Sequence, residues 1–229
     1  MAHQDPGSSH AALATALSNP DASVRLAAAL RAGTTPDPAT IPLLVTRCGM
    51  EPDFFVRDML TWALTRHPHT DTLPLLLAEL NSSLAPARSQ ALHTLSKIGD
   101  PGSWAAITPA HLHDPDPEVA RTAWRTAAGL APAAQRNSLA RELVCELGRG
   151  DTDLKRSLGR ALAMLGDTAI ALLQSAAGHQ RPEVRVHACA TLRLIADPEG
   201  PFVLDPADAR PLAPSSPHAM DRAQPSGQR

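Results

Sequence analysis

The stretch EPDFFVRDMLTWALTRHP, residues Glu51–Pro68, contains the pattern that decides the fold. Val56, Leu60 and Leu64 recur every four residues, which is the spacing of one buried stripe along an α-helix. Trp62 falls outside that stripe and is expected on the outward face of the same helix. The largest side chain of the segment therefore needs a contact other than the core of its own helix.

An apolar residue followed by a second residue that is usually basic, as in Val56-Arg57, recurs before each helix of small residues. The apolar members, here called the reference residues, are Val24, Val56, Ala87, Val119, Leu154 and Val184. They are separated by 32, 31, 32, 35 and 30 residues. A period in this range indicates a repeated helical hairpin that buries its apolar face against its neighbours. Six such units fill residues 8–197.

Each unit has the same plan, a Leu-rich first helix, a polar turn and a second helix that carries the reference residue. The first helix is exemplified by LPLLLAEL at Leu73–Leu80. In four units an Asp stands three residues before the reference residue, where its carboxylate is expected to accept hydrogen bonds from free N–H groups of the second helix. These predicted N-caps are Asp21, Asp53, Asp116 and Asp151.

This order of elements, with turns such as NPDASVR and HDPDPEV, resembles the HEAT-repeat family over about 190 of the 229 residues. The resemblance implies an all-α, right-handed α-solenoid of about six HEAT-like helical hairpins, with the second helices lining a concave groove. The fourth unit departs from the pattern because Ala120 follows its reference residue and Arg121 comes one place later. The third unit lacks the capping Asp.

A narrower resemblance concerns EPDFFVRDMLTWALTRHP together with ARSQALHTLSKIGDP. These segments are similar to the HEAT portion linked to MerR-type regulators in high-GC bacteria. The resemblance implies a regulatory setting, although the chain has no room for the helix-turn-helix that reads DNA in such regulators.

Composition narrows the classes of protein further. The chain has no Tyr and only three Phe and three Trp, so we expect an aliphatic core. A net charge of −2 argues against a general nucleic-acid binder. Three scattered Cys without a CxxC pair or secretory signal predict reduced thiols in a cytoplasmic protein, and no apolar run approaches the length of a membrane span. We expect residues 1–7 and the Pro-rich residues 198–229 to be disordered.

The second helices also predict a binding surface. Side chains two, three and six places after each reference residue are expected to face the groove, apolar in its first half and cationic in its second. The predicted partner-binding residues are Leu26, Leu30, Asp58, Met59, Trp62, His93, Arg121, Arg125, Arg156 and Arg160. An aromatic anchor beside Arg residues is typical of interaction surfaces. The prediction is a non-enzymatic scaffold or adaptor that binds a partner protein or an anionic amphipathic ligand, without cofactor or metal. The alternative for Trp62 is packing against the next hairpin.

Enzymatic alternatives depend on few residues. The segment HLHDPD, His111–Asp116, has side chains that can bind metals, but alternate residues point different ways, so we interpret it as a capped turn. No His-Glu dipeptide of the kind that binds iron in HEAT-like hydroxylases occurs. Asp58, Trp62 and Arg121 resemble the Asp, Trp and Arg of HEAT-like DNA glycosylases. A glycosylase or another enzyme acting in a cationic groove therefore stands as the alternative function.

Overall fold

The computed structural model describes residues 6–210, which form twelve α-helices and four short 3-10 helices without a strand in that range. The α-helices are α1 (Pro6–Leu17), α2 (Ala22–Thr34), α3 (Ile41–Met50), α4 (Phe54–Arg66), α5 (His69–Glu79), α6 (Ala85–Ile98), α7 (Pro109–Leu112), α8 (Pro117–Leu130), α9 (Arg136–Val144), α10 (Thr152–Met164), α11 (Asp167–Ala176) and α12 (Pro182–Ala196). The 3-10 helices are Pro38–Thr40, Pro101–Ala106, Ala133–Gln135 and Pro206–Ala209. None of the helices in this range is long and apolar enough to cross a membrane.

The helices pair into six successive hairpins, which confirms the predicted all-α solenoid. The even-numbered helices are the second helices, and each packs against the next along the chain to form one layer. The first helices lie behind them, with α3 against α5 and α9 against α11. The outward side of the even-numbered helices is here called the second-helix face. The four predicted Asp N-caps are confirmed, since each carboxylate accepts at least one N–H of its second helix.

The predicted stripe of reference residues lies between the helices as expected. Val56, Leu60 and Leu64 of α4 are all buried. The two exceptions occur at the ends of the stack, where Val24 is exposed and Leu192 is half-buried. Terminal units lack one neighbour, so part of their stripe stays in contact with solvent.

The fourth unit corrects the expectation of a purely aliphatic core. Its first helix, α7, is a single turn, and Trp124 of α8 is fully buried there. The indole Nε1 donates a hydrogen bond to the Leu112 carbonyl at 2.8 Å, which satisfies its buried polar group. A large aromatic side chain thus belongs to the core of the unit whose first helix is only one turn long.

Residues 198–210, which the sequence analysis assigned to a disordered tail, contact α12 in the structure. The Phe202 ring packs edge-on against the buried His187 ring, with centroids 6.0 Å apart. Asp208 accepts a hydrogen bond from Arg193 at 2.7 Å. The average composition of the tail gave no indication that Phe202 and Asp208 would attach this segment to α12. The remaining predicted disorder falls on residues 1–5 and 211–229, outside the described residues, while α1 already begins at Pro6.

Candidate protein-binding groove

A shared hydrogen bond fixes the register of the turns between first and second helices. The side chain five residues before the reference residue accepts the backbone N–H two residues further on. The five acceptors are Asn19 (2.9 Å), Glu51 (3.0 Å), Ser82 (3.3 Å), Asp114 (2.9 Å) and His179 (3.1 Å). These residues are therefore structurally equivalent, although their side chains differ in charge and length.

The arginine that follows the reference residue binds the same turn in four units. Arg25, Arg57 and Arg185 each donate from Nη1 to two consecutive carbonyls of their own turn, and Arg88 donates to one. These four are here called the junction arginines. Because Nη1 is held by the turn, the Nε and Nη2 edge of each guanidinium is left for contacts with the next unit.

Between α2 and α4, a buried carboxylate binds that edge. Arg25 donates from Nε and Nη2 to the two oxygens of Glu51, at 2.9 and 2.7 Å. Glu51 is buried and also accepts a hydrogen bond from Arg47 at 2.8 Å. Burial alone would raise the pKa of Glu51, but the hydrogen bonds from Arg25, the Asp53 N–H and Arg47 outweigh it and lower the pKa to about 2. Glu51 is thus ionised at neutral pH.

The α6/α8 junction repeats this arrangement. Arg88 donates from Nε and Nη2 to the two oxygens of Asp114, at 3.0 and 3.1 Å. Asp114 is buried and occupies the position equivalent to Glu51. Two of the junctions are therefore closed by the same bidentate ion pair.

The α4/α6 junction lacks this pair. Ser82 stands where Glu51 and Asp114 stand in the neighbouring units, and within residues 6–210 no carboxylate lies within salt-bridge distance of Arg57. Helix α6 packs more extensively against α3 than against α4. The close approach occurs at Gly49, where an added Cβ would lie 2.9 Å from the Ala87 Cβ. The second helices α4 and α6 are consequently separated by a cleft.

Two further depressions adjoin this cleft on the second-helix face, and the three together are here called the central groove. Its first part, of about 410 Å³, lies between Met50, Arg57 and Pro86. A second part, of about 420 Å³, shares Arg57 with the first and extends to Lys97 and Arg125. A third part, of about 320 Å³, shares Lys97 and Arg125 and ends at Leu130 and Met164.

The structure brings three of the predicted site residues together in the central groove. Asp58, His93 and Arg125 line its middle part. The remaining predicted residues lie elsewhere on the surface: Leu26 and Met59 pack partly against the core, and Leu30, Trp62, Arg121, Arg156 and Arg160 do not line the groove. Asp58, Trp62 and Arg121, the residues resembling those of glycosylases, are thus not gathered in this groove.

Trp62 is partly exposed, and its ring also packs against a neighbouring unit. The side chain is 37% exposed, and its ring covers Gly33 of α2. A Cβ added to Gly33 would lie 2.3 Å from the Trp62 Cζ3 atom. The tryptophan stands off the stripe of its own helix because it packs onto the preceding hairpin, rather than the next one.

The predicted cationic half of the face is partly neutralised within its own helices. Arg121 pairs with Glu118 at 3.3 Å, and Arg156 pairs with Asp153 at 3.1 Å. Each acidic partner stands three residues earlier on the same helix, a spacing that the sequence already displays. Arg160 is exposed on α10, and Arg125 donates from Nη2 to the His93 Nδ1 at 3.3 Å.

The groove also contains residues that the sequence analysis missed. Phe54 and Phe55, at the start of α4, are 64% and 70% exposed and contact each other edge to face. Phe54 lines the groove, together with Arg57 and Lys97. The signal was present in the sequence, since two consecutive aromatic residues directly follow the N-cap Asp53 in a chain with few aromatics.

Around a neutral His93, the basic Arg57, Lys97 and Arg125 outnumber the acidic Asp58 and Glu118. Burial lowers the pKa of His93, and the nearby Arg125 and Lys97 lower it further, whereas Asp58 acts in the opposite direction. The neutral ring can accept the Arg125 hydrogen bond through Nδ1. Arg57, Lys97 and Arg125 therefore present positive charge to anything that lies in the groove.

The HLHDPD segment has structural contacts. His111 is buried, and its Nε2 lies 3.1 Å from the Leu80 carbonyl oxygen. His113 lies between Glu142 and Glu146, and these hydrogen bonds raise its pKa. Asp114 binds Arg88. In residues 6–210 no group of three His, Cys, Asp or Glu side chains is arranged to hold a metal ion.

Comparison with known proteins supports the repeat assignment. Residues 56–131, about a third of the chain, match the family model described as HEAT repeats. This matched segment contains most of the helices that build the central groove. No curated protein matches the sequence. A chain of the solved complex of CpcE and CpcF of phycocyanin lyase from Nostoc sp. PCC7120 is 20% identical, covers 89% of this chain and 81% of its own length, and has a TM-score of 0.42.

Proposed function

We propose that this chain is a non-enzymatic scaffold or adaptor of the HEAT type, and that a partner protein lies in its central groove. The observation that carries the proposal is the combination of exposed apolar and basic side chains along three adjoining depressions. The exposed Met50 and Met164 stand near the two ends of the groove, and Phe54 lines its middle part together with Arg57, Lys97 and Arg125. Aromatic and Arg residues dominate the energetics of protein interfaces.

The shape of the groove favours a polypeptide segment over a small ligand. Small-molecule sites enclose most of their ligand, whereas this groove is lined by residues of five helices, α3, α4, α6, α8 and α10, and is open to solvent. An amphipathic segment with apolar side chains near its ends and negative charge in its middle matches the distribution of lining residues. The resemblance to HEAT portions linked to MerR-type regulators favours a partner that acts in transcriptional regulation.

Site-specific photo-crosslinking tests the location of the partner. Benzoylphenylalanine placed at Lys97, in the groove, should crosslink the partner in cells. The matched control is Ala171, an exposed position on the first helix α11, which should give no such product. Crosslinks from Ala171 and not from Lys97 would move the interface to the first helices and refute the proposal.

Once the partner is purified, binding kinetics distinguish the two kinds of contact. Arg125→Glu should chiefly slow association and reduce its dependence on salt, because exposed charges at an interface act mainly through attraction at a distance. Phe54→Ala should chiefly speed dissociation because it removes an apolar anchor. Surface plasmon resonance at two salt concentrations measures both rates. Unchanged rates for both variants would contradict binding in the groove.

A further inference from the structure

The four junction arginines have a common orientation but different partners. Arg25 and Arg88 each bind both oxygens of a carboxylate through Nε and Nη2. Arg185 donates from Nη2 to the Ala209 carbonyl, in the segment that follows α12. No residue within 6–210 accepts a hydrogen bond from the Nε and Nη2 edge of Arg57. This arginine lines two adjoining parts of the central groove.

We infer that Arg57 is a carboxylate-binding site, which accepts an Asp or Glu side chain of the partner in the place that Glu51 and Asp114 occupy at the neighbouring junctions. The inference rests on the proposed function, because it assumes that a polypeptide segment lies in the central groove. It adds the chemical identity of the group that the segment must present at that point.

The Arg57 guanidinium is already oriented for this contact. Its Nη1 donates to the Glu51 and Pro52 carbonyls at 2.8 and 2.7 Å, so two hydrogen bonds hold the planar group in place. The side chain is half-buried, which reduces screening by solvent. The remaining Nε and Nη2 donors form the fork that matches the two oxygens of a carboxylate.

The acidic groups of the groove have other contacts or lie on the same helix. Asp116 accepts the N–H groups of Glu118 and Val119, at 2.9 and 3.1 Å, as the N-cap of α8. Glu118 pairs with Arg121. Asp58 directly follows Arg57 on α4 and is exposed. Lys97 and Arg125, further along the groove, offset the repulsion that these carboxylates exert on an incoming anion.

A carboxylate is favoured over a phosphate because of the two internal examples. The guanidinium fork can bind either group, but both closed junctions of this chain pair the equivalent arginine with a carboxylate. A side chain of Glu or Asp reproduces the geometry of these two junctions. A phosphorylated segment is therefore the competing occupant that an experiment should distinguish.

The test uses three fluorescein-labelled peptides with apolar residues at both ends and either Glu, Gln or phosphoserine at the centre. Fluorescence anisotropy should show the Glu peptide binding roughly tenfold more tightly than the Gln peptide, as expected for a hydrogen bond to a charged group. Arg57→Gln should abolish that preference. Arg141→Gln, which removes an exposed arginine from the first helix α9, should preserve it.

The outcomes separate this inference from the proposed function. Equal affinities of the Glu and Gln peptides, both weakened by Phe54→Ala, would overturn the carboxylate site while leaving a groove that binds polypeptides. Stronger binding of the phosphoserine peptide, or binding of none of the three, would also overturn the carboxylate site. If Arg57→Gln does not fold, Arg57→Lys retains the charge without the fork and should still reduce the Glu preference several-fold.

Discussion

The closed and open junctions of the second-helix layer differ by one side chain at an equivalent position. Between α2 and α4, and between α6 and α8, a carboxylate bridges neighbouring units and the helices pack closely. Between α4 and α6 the equivalent residue is Ser82, and a groove separates the helices. The candidate binding surface therefore arises where a repeated contact is interrupted, rather than from an added motif.

The α8/α10 junction shows that another interruption is compensated. Ala120 stands where a junction arginine would bind the turn before α8. Arg149, from the next turn, donates from Nη2 to the Asp114 and Pro115 carbonyls at 2.6 and 3.2 Å. Its guanidinium also lies 5.9 Å from the centre of the Trp124 ring. The missing arginine of the fourth unit is replaced, whereas the missing carboxylate of the third unit is not replaced within the described residues.

The largest expected effect concerns the closed α2/α4 junction. Glu51→Ala removes the carboxylate and leaves the buried Arg25 and the partly buried Arg47 without their acidic partner. Breaking a buried ion pair on one side costs roughly 3–5 kcal/mol of folding free energy. Urea denaturation followed by far-UV circular dichroism measures the loss. Ser82→Ala at the equivalent position of the open junction is the control, and we expect a change of about 0.5 kcal/mol or less.

Similar losses of folding free energy for Glu51→Ala and Ser82→Ala would contradict the distinction between closed and open junctions. They would show that the two turn positions stabilise the fold equally, and that the carboxylate is not what distinguishes the closed junction.

The α10/α12 junction is closed by a neutral histidine instead of an ion pair. His187 accepts the Gly148 N–H through Nδ1 at 3.0 Å, so Nε2 must carry the proton that it donates to the Lys155 carbonyl at 2.9 Å. Burial lowers the pKa of His187 to about 4; the hydrogen bond to the Lys155 carbonyl acts in the opposite direction, and the Lys155 charge lowers the pKa slightly further. As the pH falls from about 6.5 to 4, only the unfolded chain takes up the proton. The free energy of unfolding therefore decreases by roughly 3 kcal/mol.

Urea titrations at several pH values measure this loss, and His187→Gln should flatten the dependence on pH. The contribution of His113 to stability depends on pH with the opposite sign, because Glu142 and Glu146 raise its pKa. Its contribution is present at low pH and is lost as pH rises through the raised pKa. An unaltered pH dependence in His187→Gln would mean that this junction tolerates the protonated ring.

A moderate effect is expected at Gly33, where the closed α2/α4 junction is tightest. An added Cβ would lie 2.3 Å from the Trp62 ring and 2.8 Å from the Ala63 Cα, so Gly33→Ala should cost roughly 1–3 kcal/mol through overpacking. Trp62 should also become more exposed, which tryptophan quenching by acrylamide can detect. In the control, Gly129→Ala on α8, the Cβ would meet only Met164 at 3.8 Å, and the better helix propensity should stabilise by about 0.5–1 kcal/mol.

Local patterns in the sequence predicted the fold well, whereas the groove depended on contacts between units. The stripe of Leu60 and the caps such as Asp53 follow from spacing along one helix, and both are confirmed. The pairing of Arg121 with Glu118 was also readable from the sequence. In contrast, the position of Trp62 depends on Gly33 in another unit, and the state of Arg57 depends on Ser82 in the next turn. Such contacts require the three-dimensional register of the turns.

The smallest expected effect comes from closing the open junction. Ser82→Asp places a carboxylate at the position of Glu51 and Asp114, where it can bind the Nε and Nη2 edge of Arg57. Because Arg57 is only half-buried, we expect a stabilisation of about 0.5–1 kcal/mol in urea denaturation at low salt, decreasing at high salt. Ser83→Asp, at the exposed neighbouring position, should have no comparable effect. If Ser82→Asp gives no stabilisation beyond that of Ser83→Asp, then the wider separation of α4 from α6, rather than the missing carboxylate, keeps this junction open. In that case the interruption of the repeat begins with the packing of α6 against α3 at Gly49 and Ala87.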